Sequence, residues 1–159
     1  MKLPATLAAR LSFLSRVTDK ECRHLLDTDA RLFATPFTSA SAQLISADAL
    51  LAERLDAFVA RFSRLQDTVG DKLLPALLDA VGETPGTAMD NLDRAEKFGW
   101  IASADSWMEM RRLRNQMVHE YIEDPTVLAS ALNAGHGFVS VLAEAAQRCA
   151  AEVQRLGAG

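Results

Sequence analysis

Leu51-Ala52-Glu53-Arg54-Leu55-Asp56-Ala57-Phe58-Val59-Ala60-Arg61-Phe62-Ser63-Arg64-Leu65-Gln66-Asp67-Thr68-Val69 is the stretch on which the fold turns. Leu51, Leu55, Phe58, Val59, Phe62, Leu65 and Val69 recur three and four apart. That spacing lines them along one stripe of an α-helix, with the charged residues on the other faces. It predicts a long helix from Asp48 to about Ala80, which Pro75 should kink or split because proline removes a backbone donor.

The same pattern extends in both directions. Towards the N-terminus, one helix is predicted over Pro4 to Val17, and a second from the capping box Thr18-Asp19-Lys20-Glu21 to about Phe33. The uncharged, Ser/Thr/Ala-rich run from Leu32 to Ala47 contains Pro36 and reads as a loop whose end leads into the long helix. Towards the C-terminus, Gly82 to Gly86 reads as a turn, Thr87 caps a short helix to about Phe98, and Gly99 stops it. Ser103 caps the next helix, which reaches about Tyr121. Asp124-Pro125 opens a last helix to about Leu156, with a weak point expected at Gly135-His136-Gly137. The expectation is an all-α, up-and-down bundle of five to six helices.

The bulk composition fits that class. The chain has 159 residues, enough for one domain with a sizeable core, and 49% of them are apolar. A net charge of −4 excludes a general nucleic-acid coater, so any nucleic acid must meet a local basic patch. Cys22 and Cys149 show neither CxxC nor zinc-ligand spacing and read as reduced thiols of a cytoplasmic protein. Residues 1–16 lack the apolar core and cleavage site of a signal peptide. No run of about 18 uncharged apolar residues is seen, so no membrane partner is expected.

One segment carries chemistry: Arg111-Arg112-Leu113-Arg114-Asn115-Gln116-Met117-Val118-His119-Glu120-Tyr121. On a helix, Trp107, Met110, Leu113, Met117, Val118 and Tyr121 share a broad arc, and Arg114 falls inside it, about 20° from Trp107. An arginine among apolar neighbours needs a partner or a cleft. His119 lies about 140° from Arg114, whereas Asn115 shares its side of the helix. Either the helix ends or bends near His119, or two copies meet and complete a site between them. Arg114 has a second reading, as a structural arginine bonded to a carboxylate. His119 likewise reads as a helix C-terminal cation, and Tyr121 as ordinary core.

Arg114-Asn115-x-x-x-His119-x-Tyr121 resembles the Arg-x4-His-x-Tyr motif of HEPN-domain proteins, in particular the HepT-like toxins of HEPN–MNT toxin–antitoxin pairs. The similarity runs from about Asp48 to the C-terminus. It includes Phe62 to Leu65 and Asp67 on the long helix and Phe98-Gly99-Trp100-Ile101 before the motif helix; residues before Asp48 contribute little. The resemblance implies one HEPN-like domain over residues 1–159, with N-terminal helices and loop in 1–47 and the motif-bearing core in 48–159. It implies a homodimer with facing motifs and a metal-independent endoribonuclease acting on tRNA or mRNA, with no cofactor. Carried onto this chain, it implies Arg114 and His119 as catalytic and Asn115 as a positioning polar residue. It implies Tyr121 as the hydroxyl that a partner nucleotidyltransferase antitoxin can modify with AMP.

The residue types suit the reaction. RNA carries its own nucleophile, the 2′-hydroxyl, so the enzyme needs a base, an acid and charge stabilisation at phosphorus. Arg54, Arg61 and Arg64 on the long helix, with Arg111 and Arg112, are candidates for the RNA-binding patch; the competing reading is a solvated face paired with Glu53, Asp56 and Asp67. His24 and His136 have no metal-ligand company and read as structural or solvent-facing. The chain lacks a phosphate-cradling glycine loop and a nucleotidyltransferase signature. The runner-up is a non-catalytic HEPN subunit that binds nucleotide or substrate for a nucleotidyltransferase. The third reading is a plain helical interaction protein.

Overall fold

No glycine or proline interrupts residues 5–32, and the first helix, α1 (Ala5–Leu32), runs unbroken through Thr18. This corrects the expected division at a Thr18 capping box. Leu11, Leu14, Thr18, Cys22, Leu25 and Leu32 continue one buried stripe, and Thr18 is 1% exposed. A threonine in that register fills a core position, so its hydroxyl does not cap a new helix. The structure, a computed structural model, describes residues 2–119 and 123–157.

The uncharged stretch after α1 also departs from expectation. It contains a short helix, α2 (Ser39–Gln43), closed by a reciprocal capping box between Thr38 and Ser41. Its serines and threonines act as caps as well as loop residues. Buried Phe37 and Ala42 fasten the segment, and the Asn133 amide of the last helix donates to the Phe37 carbonyl at 2.8 Å.

The long helix is present as α3 (Ala49–Asp67), a π-helical turn (Thr68–Leu73) and α4 (Leu74–Ala80). Asp48 caps α3 by accepting from the Leu51 amide at 3.0 Å. The expected stripe faces the core: Leu55, Phe58, Phe62, Leu65 and Val69 are fully buried, and Leu51 and Val59 pack at its margin. Ahead of Pro75 the rod widens: the Leu74 amide reaches back five residues to the Val69 carbonyl. A π turn accommodates one extra residue and shifts the carbonyls that a proline ring would otherwise strike. Pro75 then occupies the first turn of α4, where its missing N–H costs little.

Gly82 (φ +84°) follows α4, and Gly99 (φ +79°) ends α5 (Ala88–Lys97), both in the left-handed region that favours glycine. Thr87 and Asp90 form the capping box of α5. Ser103 accepts from the Ser106 amide at 3.1 Å to open α6 (Ala104–His119). Asp124 accepts from the Thr126 and Val127 amides and Pro125 begins α7 (Pro125–Arg155).

No break occurs at Gly135-His136-Gly137. Gly135 is where α7 presses closest: a β-carbon there would stand 3.2 Å from Met117 Sδ and 3.3 Å from the Phe58 ring. His136 stacks on Phe33 (centroids 4.2 Å apart) and meets Asp29 at 2.7 Å, tying α7 to α1.

Counting α3, the π turn and α4 as one rod, six helical rods surround a single core, and no strand occurs among the described residues. The chain is an all-α bundle, with α1 against both α3 and α7, and α6 against α3, α5 and α7. α7 is long and apolar enough by composition to cross a membrane. Its Leu128, Leu132, Val139, Leu142, Cys149 and Val153 are nonetheless buried in the bundle, where that apolar character is used. Cys22 and Cys149 are both free and buried, and burial pushes the Cys149 thiol up to about 12.

Candidate functional site on the motif helix

α6 owes its placement to Trp107, Met110, Leu113 and Met117, all buried. Opposite them, Arg112, Asn115 and Gln116 are exposed, while Val118, expected on the buried arc, keeps 50% of its surface free. Arg114 stands at the boundary. Its side chain is 31% exposed, and Nη2 donates to Asp67 Oδ2 of α3 at 2.9 Å. The arginine foreseen inside an apolar arc thus has a carboxylate partner, 47 residues away in sequence. Its Nε is buried and has no partner among the described residues.

His119 is the last described residue of α6, and the helix stays α-helical up to it. The His119 side chain and the whole of Tyr121 lie outside the described residues. Within one regular helix, positions 114 and 119 project about 140° apart. Arg114 leans towards α3, and Asn115, on the His119 side, faces outward.

The candidate basic patch is divided. Arg61 reaches across to α1, donating to the Thr28 hydroxyl and to the His24 carbonyl. Arg64 is exposed and close enough to Glu21 to stabilise its carboxylate. Arg112 lines a cavity of about 520 Å³ between α6 and α7, with Glu109, Leu113, Gln116, Ala134 and Phe138. A further space of about 370 Å³ shares Leu113, Gln116 and Ala134 and continues towards Thr126 and Ser130. Arg54 is exposed and Arg111 half-buried. These arginines thus lie on different surfaces, Arg61 and Arg64 towards α1, Arg112 towards α7. The α6–α7 groove was missed in the sequence; its only trace is the small residues Ser130, Ala131 and Ala134 at helical spacing.

Sequence reasoning also missed a seam of buried polar atoms on α1 and α3. Gln66 is 2% exposed, and neither its amide nitrogen nor its oxygen has a partner among the described residues; the same holds for Ser63 Oγ, Thr18 Oγ1 and Glu21 Oε2. Unpartnered buried polar groups destabilise a fold, and they gather at functional sites more often than elsewhere. No three His, Cys, Asp or Glu side chains among the described residues gather to hold a metal ion.

Glu21 permits a direct test of the seam. Burial raises its carboxyl above the ordinary value of 4.5, opposed by the Thr68 hydrogen bond and by Arg64 and Lys72, with Asp67 adding to the rise. A carboxyl whose folded pKa exceeds its unfolded one favours the fold fully below the unfolded value. That contribution fades as pH climbs through the folded value. Glu21→Gln is therefore expected to raise Tm at pH 7 and to remove the fall in Tm that this carboxyl contributes as pH rises from about 4. Thermal melts across pH 4–7 check this; an unchanged slope would contradict it.

No family model, no curated protein and no solved structure matches this chain.

Proposed function

We propose that this chain is a HEPN-type, metal-independent endoribonuclease toxin that acts as a homodimer in the cytoplasm. Its partner is a nucleotidyltransferase antitoxin. The observation that carries this reading is the Arg114-Asn115-x-x-x-His119-x-Tyr121 motif, whose Arg114, on α6, stays partly open at the bundle surface beside exposed Asn115 and Val118. An α6 that is regular to His119 supports pairing: two copies apposed along this face would join the Arg114 of one protomer with the His119 of its partner.

In that assembly one His119 removes the proton of the RNA 2′-hydroxyl, and the oxygen attacks the adjacent phosphorus. The other His119 protonates the departing 5′-oxygen. Arg114 holds the non-bridging oxygens as charge gathers on them. The products are a 2′,3′-cyclic phosphate and a 5′-hydroxyl. An AMP group placed on Tyr121 by the antitoxin would add bulk and negative charge where the RNA phosphate must lie.

A second reading is favoured by one specific contact. The Arg114–Asp67 pair is also what a purely structural arginine would show, and it fits a non-catalytic HEPN subunit that binds nucleotide or substrate for a nucleotidyltransferase. Incubating purified protein with total RNA in EDTA, followed by end-group analysis, separates the two. Cyclic-phosphate ends are expected; intact RNA would overturn the nuclease reading and leave the binding subunit.

A further inference from the structure

Two contacts of α6 with the long rod lie along one line. Gly70, in the π turn, lets α6 come close: a β-carbon there would stand 3.0 Å from Trp107 Nε1. Two helical turns further along α6, and on nearly the same side, Arg114 meets Asp67, the last residue of α3 before the π turn. Gly70 in the widened turn therefore lets α6 come close, and the carboxylate stands three residues ahead of it on α3.

We infer that Asp67 is a positioning residue: at the end of α3, it holds the Arg114 guanidinium in the orientation in which that cation engages a phosphate. The inference rests on the ribonuclease reading for the nature of the phosphate.

The energetics favour this over a role in folding. The two side chains are 31% and 40% exposed, and a pair that open to solvent contributes little to stability. Drawing Arg114 to Asp67 also leaves Nε buried and unpartnered, which disfavours the fold. A contact that is close to neutral or costly for folding makes sense when orientation is what it supplies. Asp67 takes one terminal nitrogen of the planar fork, which fixes the plane of the rest. A guanidinium already oriented does not have to reorganise as charge develops at phosphorus.

The test uses Asp67→Ala and Asp67→Asn in the full chain, assayed below their melting temperatures on an RNA that wild type cuts. Asp67→Ala is expected to lower kcat by roughly 10²-fold, the scale of a displaced catalytic group, with KM changed far less. Asp67→Asn keeps an oxygen that accepts the same N–H and is expected to recover a substantial part of kcat. A second readout needs no activity. The Arg114 Nε–H resonance should be sharp and slow to exchange in wild type, and broad in Asp67→Ala. Inactive wild type with that sharp-to-broad change would overturn the nuclease reading and keep Asp67 as the group that orients Arg114. Active wild type with unchanged kcat in Asp67→Ala, or equal loss in the alanine and asparagine variants, would overturn the positioning role. If Asp67→Ala fails to fold, Asp67→Asn and the resonance measurement decide.

Discussion

Replacing His119 by alanine is expected to reduce RNA cleavage by roughly 10²–10⁴-fold, the range contributed by a placed proton donor or acceptor. Far-UV helicity and Tm should stay close to wild type. His119 is the last described residue of α6, and the helix is anchored by Trp107, Met110, Leu113 and Met117 upstream of it. In the proposed symmetric dimer, loss of the imidazole removes base and acid together, because the same residue would serve both roles. Arg114→Lys should also lose most activity. An ammonium cannot reproduce a planar fork that contacts a carboxylate and a phosphate at once. Single-turnover rates on one defined RNA, with melts run in parallel, settle the matter. Wild-type rates in His119→Ala would sink the mechanism.

The largest effect on stability is expected at Phe58. It is fully buried, meets Phe33 edge-on at 5.3 Å and Phe62 at 5.9 Å, and lies under Gly135. Truncation would open a void where α3, α7 and the end of α1 come together. Phe58→Ala should cost about 3–5 kcal/mol, a typical figure for removing a buried aromatic ring. Against a total of about 5–15 kcal/mol for a domain, that leaves the bundle at the edge of unfolding. Urea denaturation measures it, and a loss under about 1 kcal/mol would mean that the site collapses to fill the gap.

What could be read from the sequence was local. The caps at Thr87, Ser103 and Asp124 and the glycine stop at 99 each depend on a few neighbouring residues, and all sit where expected. The stripe on α3 was legible because its period is a property of the helix itself. Failures came where a distant partner overrode a local signal. Thr18 has the spacing of a cap, yet it fills a place in the core. Gly135 resembles a break, yet it is the price of close helix packing. The π turn leaves no pattern of its own beyond Pro75. In the candidate site, the unusual place of Arg114 was visible, but which carboxylate it meets was open, because Asp67 is 47 residues away. The Arg54, Arg61 and Arg64 series looked like one basic face, and only tertiary structure shows Arg61 turned towards α1.

The extra residue housed between Thr68 and Leu73 has a bearing on how this chain tolerates length changes. Each residue of a regular helix advances the azimuth by about 100°. A one-residue deletion elsewhere in the rod would therefore swing Leu74, Leu77 and Leu78 away from the interior that now receives them, whereas one within the π turn is absorbed by a return to ordinary winding. Indels in this rod are thus constrained by phase rather than by sheer space, and the carboxylate just ahead of the insertion inherits that constraint.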